Sequence, residues 1–192
     1  MTIEIEVKLK MSHKAFLEKL REAGIEFRII RTREIVDEYY DTADMKLYRN
    51  DRALRIRKID GKLLLTFKGR RLKRKPKYRL EKEAEMSDKS GIAEILNLVG
   101  IEIPSKELTV RELRDILRQN GFTQILKISK KRSTVQIPVF KDLKIYLDSV
   151  ELLGEYVEVE GKHSLQLVAN LNISDKIEHR TYPEIMMETV KT

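Results

Sequence analysis

Charged and apolar residues alternate one for one in seven separate stretches of this chain. The first stretch, residues 3–10, reads IEIEVKLK and places Glu4, Glu6 and Lys8 on one face and apolar residues on the other. A period of two is typical of a β-strand whose two faces meet different surroundings. The chain is therefore expected to fold around such strands. The question is whether their charged faces meet water or line an interior.

The charges in these stretches separate by sign along the chain. The first and last stretches carry Glu-x-Glu, whereas the middle ones carry Arg-x-Arg or Lys. The basic positions are Lys8, Arg55, Arg57, Lys68, Arg79, Lys130 and Arg132; the acidic positions are Glu4, Glu6, Glu81, Glu83, Asp148, Glu158 and Glu160. A solvated face usually mixes its signs, so the separation favours a charged interior. Alternating charged faces are also ordinary on solvated sheets, and the residues alone leave that alternative open.

A charged interior needs ions of both signs to satisfy it, because unpaired buried charges are strongly unfavourable. Paired carboxylates can hold Mg²⁺ or Mn²⁺, which prefer oxygen ligands. Arginine and lysine can hold phosphate oxygens. A polyphosphate chelated to a divalent metal would supply both kinds of charge.

The periodicity predicts helices joined to many short strands, with an Asp60-Gly61 hairpin turn. Helices are expected at 13–23, 89–99, 109–119, 164–171 and 182–190; strands are expected at 3–10, 26–40, 52–60, 62–69, 78–86, 122–137, 142–152 and 155–161. Residues 70–77 are expected to form a basic loop. This pattern predicts an α+β fold, an eight-stranded antiparallel sheet closed into a barrel with helices packed outside.

Composition narrows the class of protein. The 192 residues suit one domain spanning 1–192, and the absence of cysteine excludes disulfides and thiol catalysis. No two of the three histidines have metal-ligand spacing, so a histidine-based zinc site is not expected. No apolar run reaches membrane length, so a cytoplasmic protein is expected. The net charge of +8 suits an anionic partner. Nucleic acid is disfavoured because no aromatic stacking platform accompanies the basic loop.

With its Glu4-x-Glu6-x-Lys8 start, the sequence resembles the CYTH superfamily, or triphosphate tunnel metalloenzymes, which include class IV adenylyl cyclases, thiamine triphosphatases and inorganic triphosphatases. The other matching motifs follow in order along the chain: the DEYYDT block at 37–42, Arg55-x-Arg57, Lys68 in a Thr-x-Lys-Gly strand, Arg79-x-Glu81-x-Glu83, Glu158-x-Glu160, and Thr181-Tyr182-Pro183-Glu184. In the last block threonine stands where the family has serine.

The resemblance implies a tunnel with a charged interior and assigns roles within it. Divalent metal, Mg²⁺ or Mn²⁺, would bind Glu4, Glu6, Asp148, Glu158 and Glu160. The triphosphate would bind Lys8, Arg55, Arg57, Lys68, Arg79, Lys130 and Arg132. Glu81 and Glu83 would line the tunnel, and the catalytic set would be Glu4, Glu6, Lys8 and Arg57.

The same triphosphate-binding residues could serve two reactions. Hydrolysis needs only water as the nucleophile, whereas cyclisation of ATP to cyclic AMP also needs an adenine pocket, and no adenine-reading motif stands out. Metal-dependent hydrolysis of inorganic triphosphate (tripolyphosphate) is therefore the expected function, with the cyclase as the alternative and a non-enzymatic binder of polyphosphate or nucleic acid as a third hypothesis. The substrate is expected to be a small-molecule triphosphate, ATP included. The oligomeric state is left open between a monomer and a homodimer.

Overall fold

A computed structural model of the chain describes residues 2–74, 76–104 and 106–189. Its strands are β1 (Thr2–Leu9), β2 (Arg28–Thr42), β3 (Ala53–Ile59), β4 (Lys62–Arg74), β5 (Lys77–Glu85), β6 (Phe122–Gln136), β7 (Lys144–Val150) and β8 (Gly154–Glu160). Its helices are α1 (His13–Glu22), α2 (Lys46–Arg49), α3 (Lys89–Leu98), α4 (Val110–Gln119), α5 (Ser164–Asn170) and α6 (Tyr182–Thr189), with a short 3₁₀ turn at Ser174–Lys176.

Polar side chains cap the N-termini of α3 and α4, which begin within one residue of the predicted positions. The backbone N–H of Gly91 donates to Asp88 at 2.9 Å, so Asp88 caps α3. Thr109 and Glu112 exchange hydrogen bonds across the first turn of α4, which is a complete capping box. Each cap satisfies backbone donors that the helix itself leaves unpaired.

The strands form one closed sheet. The hydrogen-bonded order β1-β5-β4-β3-β2-β6-β7-β8 returns from β8 to β1 and so closes an eight-stranded barrel. The pairs β1–β8, β2–β3, β3–β4, β6–β7 and β7–β8 are all antiparallel. The predicted α+β fold, with a closed antiparallel barrel and helices outside it, is confirmed.

The basic segment at 70–77 is not the loop that its composition suggests. β4 continues to Arg74 and β5 begins at Lys77, so little of the expected loop is left. One contact helps to hold the extended chain: the backbone N–H and the Nε of Arg71 both donate to the Asp51 carboxylate, at 3.0 and 2.9 Å. Residue 75 itself lies outside the described residues.

The described chain divides into two compact units. The first unit comprises Met1–Ile3, Ile35–Arg71 and Arg79–Lys127. Its apolar core packs α3 and α4 against strand residues such as Leu54, Ile56 and Leu65, all essentially inaccessible to solvent. On the same strands the alternate residues Arg55 and Thr66 are also buried. The strands are thus buried on both faces.

The second unit comprises Glu4–Glu34, Leu72–Tyr78 and Ile128–Thr192. Val7, Val157 and Val159 belong to its apolar core, together with residues of α1 and α5. The alternate residues Lys8 and Glu158 are just as deeply buried, at 3% and 5% exposure. The charged faces are therefore not solvated surfaces as a whole: residues such as Lys8, Arg55 and Glu158 lie in an interior, whereas Glu83 is exposed.

Within the described residues, none of the helices is both long and apolar enough to span a membrane. The expected single domain over 1–192 stays a prediction.

Candidate functional site

The carboxylates of the first and last strands meet in the second unit. β1 and β8 pair so that Glu6 lies opposite Glu160 and Lys8 lies opposite Glu158. Two carboxylates directly opposite each other on paired strands repel. The pKa of Glu160 is raised to about 8, by burial first and then by the charges of Glu158 and Glu4, with a smaller contribution from Glu6. Negative charge is thus concentrated around Glu160.

Divalent metal is the group that the family resemblance implies here. Among the described residues, no three His, Asp or Glu side chains stand in an arrangement that would hold a metal ion. The chemistry of the donors nevertheless fits one: Glu6 and Glu160 face each other with hard oxygen ligands, and Glu4 adds to the repulsion at Glu160. A divalent cation would relieve that repulsion. The metal assignment of Glu4, Glu6, Asp148, Glu158 and Glu160 stays a prediction.

Asp148 of β7 is the centre of the basic part of the same unit. Its carboxylate is fully buried, at 0% exposure, and accepts hydrogen bonds from three side chains. Lys130 Nζ donates at 2.8 Å, Tyr182 Oη at 2.9 Å, and Arg132 donates from Nε and Nη2, each at 2.6 Å. Because both of its oxygens are occupied, Asp148 is placed to orient these basic side chains. Burial alone would raise the pKa of Asp148, but the charges of Lys130 and Arg132 outweigh it and the pKa is lowered.

Lys8 connects the basic and acidic parts of this cluster. Its Nζ lies 3.4 Å from Glu158 Oε1 and 3.8 Å from Glu6 Oε1. Glu158 also pairs with Arg132. The predicted residues Glu6, Lys8, Lys130, Arg132 and Glu158 are therefore brought together, as one network in which every positive group touches a carboxylate.

Lys77 is a buried lysine in this cluster that sequence reasoning missed. Its Nζ lies 3.4 Å from Glu6 Oε1 and donates to the carbonyl oxygen of Arg180 at 3.2 Å. Burial, followed by the nearby Lys8 charge, lowers the pKa of Lys77 to about 8. The sequence pattern does indicate Lys77, since it continues the alternation of Arg79 and Glu81. Lys77 was overlooked because residues 70–77 were assigned to a loop.

The first unit holds a second buried charge cluster, centred on Asp37 of β2. Arg57 lies opposite Asp37 and binds it in bidentate fashion, with Nε–Oδ1 at 2.6 Å and Nη2–Oδ2 at 2.7 Å. Arg55 Nη1 lies 3.5 Å from the same carboxylate. The sequence identified Asp37 only as part of the DEYYDT block, and its contacts with both arginines were not predicted.

The remaining predicted residues of this unit surround the arginines. Lys68 Nζ lies 3.5 Å from Glu81 Oε2, and Arg55 Nη2 lies 3.5 Å from Glu81 Oε1. Glu83 accepts a hydrogen bond from Thr66 at 2.9 Å and is 40% exposed. Arg79 points toward Asp51, at 3.9 Å. Glu81 thus sits between two predicted phosphate-binding groups.

Asp41, in the DEYYDT block, fixes the local course of the chain. The Asp41 carboxylate accepts hydrogen bonds from the backbone N–H groups of Leu47 and Tyr48, at 2.9 and 2.8 Å. It thereby fixes the turn that carries α2.

Comparison with known proteins places these clusters in a family context. The sequence profile of the CYTH domain matches residues 2–166. A Methanocaldococcus jannaschii protein named "putative adenylate cyclase" is 28% identical over 191 residues, which cover 98% of this chain and 88% of that protein.

Solved structures share the fold over nearly the whole chain. A Pyrococcus horikoshii OT3 protein is 28% identical with a TM-score of 0.71, covering 97% of this chain and 99% of that one. A Hippeastrum protein described as a "putative adenylyl cyclase" with a dominant triphosphatase activity has a TM-score of 0.61, covering 98% and 96% of the two chains. Its identity of 17% supports a shared fold and no more.

Proposed function

Because the chain belongs to the CYTH family, we propose that it is a divalent-metal-dependent triphosphatase that hydrolyses inorganic triphosphate to pyrophosphate and phosphate. Proteins of this family are triphosphate tunnel enzymes, either cyclases or triphosphatases, that use divalent metal ions. One observation carries the proposal: in the second unit, the buried cations Lys8, Lys130 and Arg132 lie beside the carboxylates of β1 and β8. That pairing of signs suits a metal-chelated triphosphate.

The basic side chains would bind and orient the phosphate chain. Arg132 presents a planar group that can take two phosphate oxygens at once, while Lys8 and Lys130 supply point charges. Their contacts to Asp148 and Glu158 keep them oriented before substrate arrives. Such preorganised positive charge would stabilise the charge that develops on the transferred phosphoryl group.

The carboxylates Glu4, Glu6 and Glu160, with Glu158, would hold the metal. A bound divalent cation neutralises phosphate oxygens and lowers the pKa of a coordinated water. In hydrolysis, water forms a bond to the terminal phosphorus, the bond from that phosphorus to the bridging oxygen breaks, and its electron pair leaves with pyrophosphate. Arg55, Arg57 and Lys68 of the first unit would bind phosphate in the same way, with Asp37 and Glu81 orienting them.

Adenylyl cyclase activity is the second candidate, and the name of the Methanocaldococcus jannaschii relative favours it. Hydrolysis is preferred because it needs no adenine pocket in addition to the triphosphate grip. The triphosphatase activity attributed to the Hippeastrum protein is consistent with hydrolysis on this fold.

Product analysis separates the candidates. The protein is incubated with tripolyphosphate, and separately with ATP, in the presence of Mg²⁺ or Mn²⁺. Orthophosphate released from tripolyphosphate supports the proposal, whereas cyclic AMP with pyrophosphate from ATP supports the cyclase. Binding of tripolyphosphate without turnover in either metal would identify a non-enzymatic binder and refute the proposal.

A further inference from the structure

Tyr182, at the start of α6, lies under two of the lysines that the proposed function uses. Lys8 Nζ is 3.7 Å and Lys130 Nζ is 4.8 Å from the centre of the Tyr182 ring. Both distances fall within the range in which an aromatic face attracts a cation. The phenol oxygen donates to Asp148 Oδ2 at 2.9 Å, the same oxygen that Lys130 Nζ binds. One buried side chain thus contacts both lysines and the carboxylate that Lys130 binds.

The surroundings of Tyr182 hold its ring in place. Thr181 and Glu184 exchange hydrogen bonds across the first turn of α6, with Thr181 N donating at 2.6 Å and Glu184 N donating at 3.3 Å. Tyr156 packs against the ring edge to face, with centroids 5.3 Å apart and planes at 80°. The ring therefore has little freedom to turn away from the lysines.

Holding a lysine in one orientation matters because its long side chain loses rotamer entropy when it becomes ordered. A lysine ordered before substrate binds does not lose that entropy on binding. An aromatic face attracts an ammonium group without offering it an oxygen acceptor, so the donors of Lys8 that face away from the ring can bind oxygen ligands, as they do at Glu158 and Glu6.

We propose that Tyr182 is a positioning residue that holds Lys8 and Lys130 through its ring face in the orientation in which they bind phosphate oxygens. This inference rests on the proposed triphosphate site and adds a role for a residue from the C-terminal helix. The ring carries the effect on the lysines, and the hydroxyl bond to Asp148 fixes the ring. Tyr182 itself does not contact the reacting atoms.

Binding of tripolyphosphate to the full chain without divalent metal, measured by titration calorimetry, tests the proposal apart from turnover. Tyr182→Leu is expected to weaken binding about tenfold, because two cation–ring contacts are lost. Tyr182→Phe keeps the ring and is expected to bind within about threefold of the wild type. The matched control is Tyr48→Phe, which changes an exposed tyrosine of α2 in the first unit and should leave binding unchanged.

A fluorinated series at position 182 distinguishes the ring's charge distribution from its shape. Phenylalanine and its mono-, di- and trifluoro forms are nearly equal in size, but each fluorine withdraws negative charge from the ring face. Affinity for tripolyphosphate should fall at each step, and this series decides the matter even if Tyr182→Leu does not fold.

Equal affinity across the fluorinated series, or tighter binding by a folded Tyr182→Leu protein, would overturn the proposal. The second result would mean that the ring blocks the lysines instead of presenting them. The proposed function fails separately: a wild-type protein that neither binds nor hydrolyses tripolyphosphate refutes both, whereas normal wild-type binding with unaffected variants refutes only the role of Tyr182.

Discussion

At the scale of single residues, the carboxylates of this protein fall into two kinds. Asp148 and Asp37 are saturated by arginine, lysine or tyrosine donors and are placed to orient those groups. Glu6 and Glu160 are of the second kind: they face each other across paired strands, and Glu6 meets Lys77 and Lys8 only at the longer distances of 3.4 and 3.8 Å. The family resemblance assigns Asp148 to the metal ligands, and this assignment stays a prediction, because a motif records which residues are present and not which neighbour each one binds. The partner depends on register and on residues far away in the chain.

Neutralising a carboxylate on the acidic side should remove activity without unfolding the protein. Glu4→Gln and Glu160→Gln are each expected to abolish turnover of tripolyphosphate in Mg²⁺ or Mn²⁺, because they remove metal-binding oxygens. Glu160→Gln should leave the metal-free melting temperature equal or higher, since burial and the charges of Glu158 and Glu4 disfavour an ionised Glu160 in the folded state. Assays with melting curves test both, and near-normal rates in either variant would remove that residue from the metal site.

Neutralising a carboxylate that orients arginines should instead destabilise the fold. Asp37→Asn leaves Arg57 and Arg55 buried without their shared anion. A loss of about 3 kcal/mol in the free energy of unfolding is expected, as for other broken buried ion pairs. Urea denaturation measures it, with the surface variant Asp115→Asn as the control, expected within about 0.5 kcal/mol of the wild type. A small loss in Asp37→Asn would mean that other groups hold these arginines.

At the scale of helices and strands, local pattern predicted the elements well because each element carries its own periodicity and caps. The exceptions were α2, which was not predicted, and the end of β4, where a run of basic residues looked like a loop. A tertiary contact helps to extend the strand: Arg71 of β4 binds Asp51, which lies just before β3 in the chain. Lys77 was missed for the same reason. Composition describes a segment alone, whereas strand pairing depends on its neighbours.

Helix α3 contains a glycine whose replacement should have the opposite effect from the usual one. Alanine normally stabilises a helix by about 1 kcal/mol relative to glycine. At Gly91, however, a Cβ atom would meet the Cβ of Ala84 at 2.8 Å, and it would also meet the Asp88 carboxylate that caps the helix. Gly91→Ala is therefore expected to destabilise the protein by about 1–3 kcal/mol. Thermal or urea unfolding measures this, with the neighbouring Ser90→Ala as a near-neutral control; a stabilised Gly91→Ala protein would contradict the close packing of α3 on β5.

The segment before α6 should respond to acid. Hydrogen bonds from Arg180 lower the pKa of Glu178 to about 2, below the value of about 4.5 for a free glutamate. An acid whose pKa is lowered in the folded state stabilises that state above pH 4.5, and the contribution is lost as the pH falls toward 2. The melting temperature of Glu178→Gln should therefore lie below that of the wild type at neutral pH, and the gap should close in acid.

Glu107→Gln is the control for this pH dependence, since it removes one exposed surface carboxylate. A gap between wild type and Glu178→Gln that is equally wide at pH 7 and near pH 2.5 would show that the Glu178 charge does not stabilise the segment.

At the scale of the whole molecule, the net charge of +8 should steer an anionic substrate. Raising NaCl from about 0.05 M to about 0.5 M should lower kcat/KM for tripolyphosphate several-fold, because salt screens the long-range attraction. The kcat at saturating substrate should change less, since buried contacts are screened weakly. Steady-state kinetics at constant free metal concentration measure both, and a kcat/KM that is insensitive to salt would argue against steering.

The barrel could be predicted from sequence because the charged alternation repeats in so many stretches. The sign of charge on each strand also indicated the two kinds of ligand. What could not be predicted was which charges pair. Glu6 and Glu160, or Lys8 and Tyr182, are neighbours only because distant segments close on each other. The reaction is harder still to predict from sequence, since the same side chains grip the triphosphate for hydrolysis and for cyclisation.

The pairing of β1 with β8 also bears on how the chain is made. Glu6 pairs across from Glu160, and the carbonyl of Lys8 accepts from the backbone N–H of Glu178. β1 therefore leaves the ribosome long before the residues that cover one of its edges are synthesised. An exposed strand edge is prone to pair with other chains, and charged residues along it discourage this. Glu4, Glu6 and Lys8, which are unfavourable to bury in the finished protein, would thus protect the nascent chain from aggregation.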